Sequence, residues 1–226
     1  MGAAEPITVL LAGSTGMVGS LILEHCLRSK RVRQVEVLVR HPSGSTHPKL
    51  REWLVSDFAD FSGLSEPFRQ ISSAWFCLGA YTGQVPDPEF KRITVDYAVA
   101  FAAALRTHSP AATLCLLSGQ GADRSAKSRI PFARYKGMAE SEIAGLGLGA
   151  FYAFRPSYIF PVRPRQEPNL MYRAMRRLYP LVRLLGKNFS IRSTELADAM
   201  FQTGLDGANM EILENREILA LLPCGE

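Results

Sequence analysis

Residues 7–19, Ile-Thr-Val-Leu-Leu-Ala-Gly-Ser-Thr-Gly-Met-Val-Gly, constrain the fold more than any other stretch. An apolar run ends in three glycines spaced three apart, and a helical pattern begins at once. This predicts a strand, a tight turn and a helix N-terminus. Gly13 can take a positive φ and turn the chain. Gly16, without a Cβ, lets the backbone come close to an anion, and Gly19 lets the new helix lie close to the strand. The first free N–H groups of that helix then face the negative charge. The candidate diphosphate cradle comprises Gly13, Ser14, Thr15, Gly16, Met17, Val18 and Gly19, with Ser14 and Thr15 adding hydroxyl donors. The spacing is GxxGxxG and not the commoner GxGxxG, and a purely structural turn is the competing reading. Its place between a strand and a helix favours a dinucleotide site.

The rest of the chain repeats the strand-then-helix alternation. A second strand, Gln34–Val39, ends at Arg40, about twenty residues past the glycine turn, where a dinucleotide fold meets the adenosine ribose. An acid there would favour NAD; Arg40 has the planar fork of donors suited to a 2′-phosphate. NADP is therefore expected in preference to NAD, unless Arg40 merely ends a strand in water. A third strand ends in Asp57-Phe58, a pair suited to holding adenine, although Asp57 also serves as a helix cap. A fourth, Ser73–Leu78, leads into Gly79, placing Leu78 and Gly79 beside the cofactor. The helix over 90–105 carries alanines suited to close packing on the sheet. A fifth strand, Thr113–Leu117, delivers Ser118 to the same edge. A helix from about Phe132 to Ala144 carries Lys136 one turn in, aimed back at the sheet. A sixth strand runs into Arg155-Pro156.

This alternation predicts an α/β, Rossmann-like, doubly wound parallel sheet. At 226 residues the chain makes one domain, with a core over about 6–160 and a small, mainly helical C-terminal lobe over about 161–226. In that lobe Leu170–Leu185 and Thr194–Leu205 are expected helices, Ser193-Thr194 an N-cap, and Met210–Asn215 a late strand or turn. Apolar residues make up 47 % and charged ones 21 %, enough for an ordinary core. No apolar run approaches the about 18 residues that span a bilayer. The start, Met-Gly-Ala-Ala-Glu-Pro, lacks a basic region and is not expected to be a signal peptide. Cys26, Cys77, Cys115 and Cys224 are scattered without metal-ligand spacing, so neither a disulfide framework nor a metal site is expected. A reducing cytoplasm is the simplest expected location.

With these pieces placed, the chain resembles the short-chain dehydrogenase/reductase superfamily. The residues that carry the likeness are Gly13, Gly16 and Gly19, Ser118, Lys136 and Arg155-Pro156. More narrowly it is similar to the atypical Tat-interacting oxidoreductase-like group, through Cys77-Leu-Gly, Leu116–Asp123, Lys136-Gly137, Phe154–Pro156 and Met210–Asn215. The resemblance implies an NADP-binding fold with Arg155 and Pro156 near the cofactor. In catalytic members a Ser, Tyr and Lys act together: the Tyr exchanges a proton with the substrate oxygen, the Lys holds the ribose and favours the phenolate, and the Ser binds the substrate carbonyl. Ser118 and Lys136 take the Ser and Lys places. The Tyr place, four residues before Lys136, is Phe132. Tyr135 lies one residue from Lys136, rotated by about 100° onto another helix face, and is not expected to replace it. Tyr81, Tyr97 and Tyr158 are the other phenols within reach by sequence.

Two functions follow. One is an oxidoreductase moving hydride between NADPH and a small carbonyl or alcohol, the proton coming from water or a loop tyrosine. The other is a non-catalytic NADPH-binding sensor or regulator. The basic stretch Arg163–Arg192 is expected to be a solvated face; within it Tyr172–Leu185 is expected to form a pair of short helices covering the substrate pocket with the basic face outward, a membrane-surface helix being the minor alternative that Pro180 argues against. No reader fold for nucleic acid is apparent. Oligomeric state is not written in the sequence, and an oligomer is compatible with it.

Overall fold

The computed structural model describes residues 5–80, 83–163 and 189–222. The chain begins with β1 (Ile7–Ala12), buried from Thr8 onward, as a strand covered on both faces must be. It continues through α1 (Gly19–Arg28), β2 (Val32–Val39), β3 (Leu50–Leu54) and β4 (Ser73–Phe76). A helical rod follows: α2 (Asp87–Lys91), a π-helical turn over Arg92–Asp96, and α3 (Tyr97–His108). Then come β5 (Thr113–Leu117), α4 (Pro131–Gly145), which Pro131 opens, and β6 (Ala150–Arg155). The last elements are β7 (Tyr158–Phe160), β8 (Ser190–Arg192), α5 (Ser193–Asp206), β9 (Ile212–Glu214) and α6 (Asn215–Ala220).

Seven strands form one parallel sheet in the order β3-β2-β1-β4-β5-β6-β9. This is a Rossmann-like, doubly wound α/β fold. The strand order reverses between β1 and β4, and the crevice outside their carboxyl ends is where such sheets bind ligands. Alternate residues of β1 divide the core in two. Val9 and Leu11 join the face under α1 and α5, while Leu10 and Ala12 join the face under α3 and α4. On α3, Ala98 and Ala102 are fully buried, so the alanines do allow the expected close packing.

In the described part of the C-terminal segment, α5 packs on the main sheet, while β8 pairs with β7 in a separate two-stranded sheet. Leu196, Ala197, Ala199 and Met200 bury one stripe of α5 against the sheet, and the indole N–H of Trp75 on β4 donates to the Met200 carbonyl at 2.8 Å. A helix with such a stripe must cover apolar surface. The late strand also forms, as β9 at the sheet edge beside β6. The cap of α5 lies one residue earlier than expected: the Glu195 carboxylate accepts the Arg192 backbone N–H at 2.8 Å. The expected helix Leu170–Leu185, the basic stretch around it, Tyr81 and Cys224 lie outside the described residues.

Candidate functional site

At the end of β1 the chain turns at Gly13, whose φ is +90°. A Cβ there would stand 2.7 Å from the Cys77 carbonyl carbon, beyond the end of β4. The Gly16 N–H closes the turn onto the Gly13 carbonyl at 3.0 Å. A Cβ on Gly19 would fall 2.1 Å from that same carbonyl oxygen, so α1 can start this close to β1 only with glycine there. Among the described residues, the N–H groups of Met17 and Val18 have no backbone partner. Open amides before a helix are what an anion binds. The turn therefore fits the diphosphate of a dinucleotide.

Beside it opens a cleft of about 300 Å³. It is lined by Gly16, Met17 and Val18 after β1, Cys77–Ala80 after β4, Leu117–Gly119 at the end of β5, Phe132 and Lys136 of α4, and Pro156–Tyr158 after β6. Of the residues expected at the site, Gly16, Met17, Val18, Leu78, Gly79, Ser118, Lys136 and Pro156 thus converge. Gly13, Ser14, Thr15 and Gly19 shape the turn behind them. Arg40 stands exposed just past β2, outside the cleft lining and, among the described residues, without a side-chain partner. Asp57 is held by its own turn, accepting the Ala59 N–H at 2.9 Å, and pairs with Arg92 at 2.8 Å. Phe58 is only 3 % exposed and packs against Phe61 and Tyr97. Its ring is a core ring, and the adenine contact expected of it has no free face.

On α4, Phe132, Lys136 and Glu140 recur every four residues and share one side. Lys136 donates to the Leu117 carbonyl at 2.8 Å, so it does aim back at the sheet. Burial pushes its ammonium down to about 8, against the opposing pull of Glu140 and Cys77. Burial likewise pushes the Cys77 thiol up to about 12. Tyr135 points elsewhere, as the helix geometry requires: its hydroxyl donates to Asp87 at 2.7 Å and its ring lies against Phe90. Tyr97 packs against Phe58, and Tyr158 lines the cleft. The Phe132 ring ends over Gly119, its tip carbon 2.4 Å from where a Cβ on Gly119 would stand.

Ser118 differs from its expected role. Its hydroxyl donates to the carboxylate of Glu140, which is fully buried. The same carboxylate receives Arg155 through two nitrogens, at 2.6 and 3.0 Å, and Arg124 at 3.0 Å. Arg155 also pairs with Glu214 at 3.0 Å, and Arg124 with Glu211 at 2.6 Å. Burial works to raise the Glu140 pKa, but the hydrogen bonds from Arg155, Ser118 and Arg124 outweigh it and hold the group below the usual carboxylate range. Arg155, expected beside the cofactor, is thus a core ion-pair residue absent from the cleft lining. Sequence reasoning missed Glu140 altogether. Its signal was the spacing from Phe132 and Lys136, which puts an acid on the buried side of the helix.

No protein-family model matches the chain. Two curated proteins are similar to it. Protein fmp52-1, mitochondrial, of Aspergillus terreus is 26% identical over 166 residues, covering 71% of this chain and 70% of its own length. Protein FMP52, mitochondrial, of Coccidioides immitis is 28% identical over 168 residues, covering 67% and 65%. The chain is a distant relative of these proteins and spans about two thirds of their length. Among solved structures, a UDP-N-acetylglucosamine 4-epimerase from Methanobrevibacter ruminantium superposes with a TM-score of 0.69 at 16% identity, covering 93% of this chain and 76% of that one. Gre2 from Candida albicans, in complex with NADPH, gives 0.70 at 13% identity, covering 92% and 78%. At these identities the likeness is one of fold alone, a Rossmann-like α/β fold. The expected cytoplasmic location is overturned, because both curated relatives are mitochondrial proteins. Scattered thiols report a reducing milieu and carry no address. No helix among the described residues is long and apolar enough to cross a membrane.

Proposed function

We propose that this chain binds NADP(H) and acts as an oxidoreductase on a small carbonyl or alcohol. The observation that carries the reading is the pair of open amides, Met17 and Val18, lining a cleft that Lys136 also lines. The diphosphate would rest on the glycine turn, and Lys136 would hold the nicotinamide ribose. The bound nucleotide would supply a hydride, with Leu78, Gly79 and Pro156 orienting it. Arg40, exposed and unpaired past β2, would take a 2′-phosphate. The likeness to the Tat-interacting oxidoreductase-like group and to the NADPH-bound Gre2 supports the same reading. Fluorescence titration tests it: NADPH is expected to bind about tenfold tighter than NADH, a difference of about 1.4 kcal/mol. Arg40→Ala is expected to erase most of that gap. Equal affinities in the unaltered chain overturn the role of Arg40, and no binding of either nucleotide at millimolar concentration overturns the function.

A second reading, a non-catalytic NADPH sensor, has one observation in its favour. Phe132 stands over Gly119 where catalytic members of the resembled family have a phenol. Turnover of aldehydes and quinones with NADPH separates the two; tight binding with no turnover favours the sensor.

A further inference from the structure

The cleft lacks a phenol at position 132, and its strand-end serine has given its proton away. Ser118 donates to Glu140, so toward the cleft it offers an acceptor and no hydrogen. A substrate carbonyl that receives a hydride must also receive a proton. Lys136 lines the cleft, as do Ser157 and Tyr158, and its ammonium spends one N–H on the Leu117 carbonyl, leaving two.

We infer that Lys136 is itself the proton donor to the substrate oxygen, in addition to holding the ribose. This rests on the reading that the cleft binds a reduced nicotinamide nucleotide. The balance is closed. One hydride, carrying two electrons, passes from the reduced nicotinamide to the carbonyl carbon. One proton passes from Lys136 Nζ to the carbonyl oxygen, giving an alcohol, an oxidised nucleotide and a neutral amine, which takes its next proton from water.

The surroundings suit an amine that must cycle. Glu140 lies one turn further along α4 and favours the charged form, but its own charge is shared with Arg155 from β6 and Arg124. Cys77, facing Lys136 from the end of β4, stays a neutral thiol because burial raises it. The charged groups of the π-helical turn packed on α4 are committed elsewhere, Arg92 to Asp57 and Asp96 to Lys91. Ser118, Ser157 and Tyr158 are the other polar side chains that line the cleft. Burial therefore dominates, and it brings the amine to about 8, where both protonation states are populated near neutral pH.

Two measurements test this. The first needs no turnover: acetic anhydride labelling of the unaltered chain, read residue by residue by mass spectrometry against pH. Lys136 is expected to label half-maximally near pH 8, well below the ordinary lysine value of 10.5, and to be shielded by NADPH. A half-maximum at that ordinary value overturns the inference. The second is the pH profile of carbonyl reduction. The rate is expected to fall about tenfold per unit above pH 8. Lys136→Arg, which keeps a cation but cannot release its proton, is expected to lose at least about a hundredfold in kcat at saturating NADPH. The alkaline limb is expected to persist in Tyr158→Phe. A limb that survives Lys136→Arg and vanishes in Tyr158→Phe moves the proton to Tyr158 and overturns the inference, as does NADPH binding without any reduction. Failure to bind NADPH strikes the proposed function instead, so the two failures are distinguishable.

Discussion

The carboxyl edge of the sheet is built in two ways on the two sides of its centre. On the β1 side the site is backbone: Gly13, Gly16 and Gly19 fold the chain onto itself and leave amides open. On the β5–β6–β9 side it is side chain: Glu140 gathers Ser118, Arg124 and Arg155, and Glu211 and Glu214 hold the outer ends of the two guanidiniums. The first half tolerates no Cβ at Gly13 or Gly19 without moving backbone. The second depends on two guanidiniums and a hydroxyl meeting one fully buried carboxylate, with Glu211 and Glu214 at its half-exposed rim. Steric exclusion protects one half, and electrostatic completeness the other.

The sharpest way to break that contrast is Glu140→Gln. Removing one member of a buried ionic cluster leaves guanidiniums short of a partner, and a loss of about 3–5 kcal/mol is expected in urea unfolding at pH 7. The sign with pH follows from the lowered Glu140 pKa. Its contribution is complete above the unfolded value of 4.5 and fades as pH falls through the folded one, so the gap between the two chains should narrow in acid. A loss below about 1 kcal/mol would show that the cluster is not what holds this side. Gly19→Ala tests the other half. Its new Cβ meets the Gly13 carbonyl at 2.1 Å, and overpacking of this kind costs about 1–3 kcal/mol. NADPH affinity should fall with it by at least about tenfold, read by the same fluorescence titration. Unchanged affinity would mean that the backbone is not the cradle. The smallest effect is expected from Tyr135→Phe. The hydroxyl lost is bonded to Asp87, away from the cleft, so thermal unfolding should register about 1 kcal/mol while NADPH affinity stays put. A weakened affinity would place that phenol in the site.

The same contrast explains what could be read in advance. The strand, the glycines and the helix start of the β1 half lie within thirteen consecutive residues, so local pattern sufficed. Lys136 followed from helix periodicity once Pro131 marked the first turn. Glu140 did not, because its partners lie 15, 16 and 22 residues away in sequence, and pairing over such spans has no local signature. Arg155 was misplaced for the same reason: a strand-end arginine looks alike whether it faces a phosphate or a buried carboxylate. Phe58 carried a ligand expectation because its neighbours Phe61 and Tyr97 become neighbours only through the fold. The C-terminal helix read as an appendage since nothing in Thr194–Leu205 says that β4 will offer Trp75 to it.

The contact of Phe132 with Gly119 ties two positions into one unit of variation. A phenol at 132 would carry its oxygen on the very carbon that already crowds Gly119, and any side chain at 119 would strike the ring. A side chain at 119 therefore asks the Phe132 ring to turn aside, so the glycine at one position and the seat of the ring at the other are a single choice.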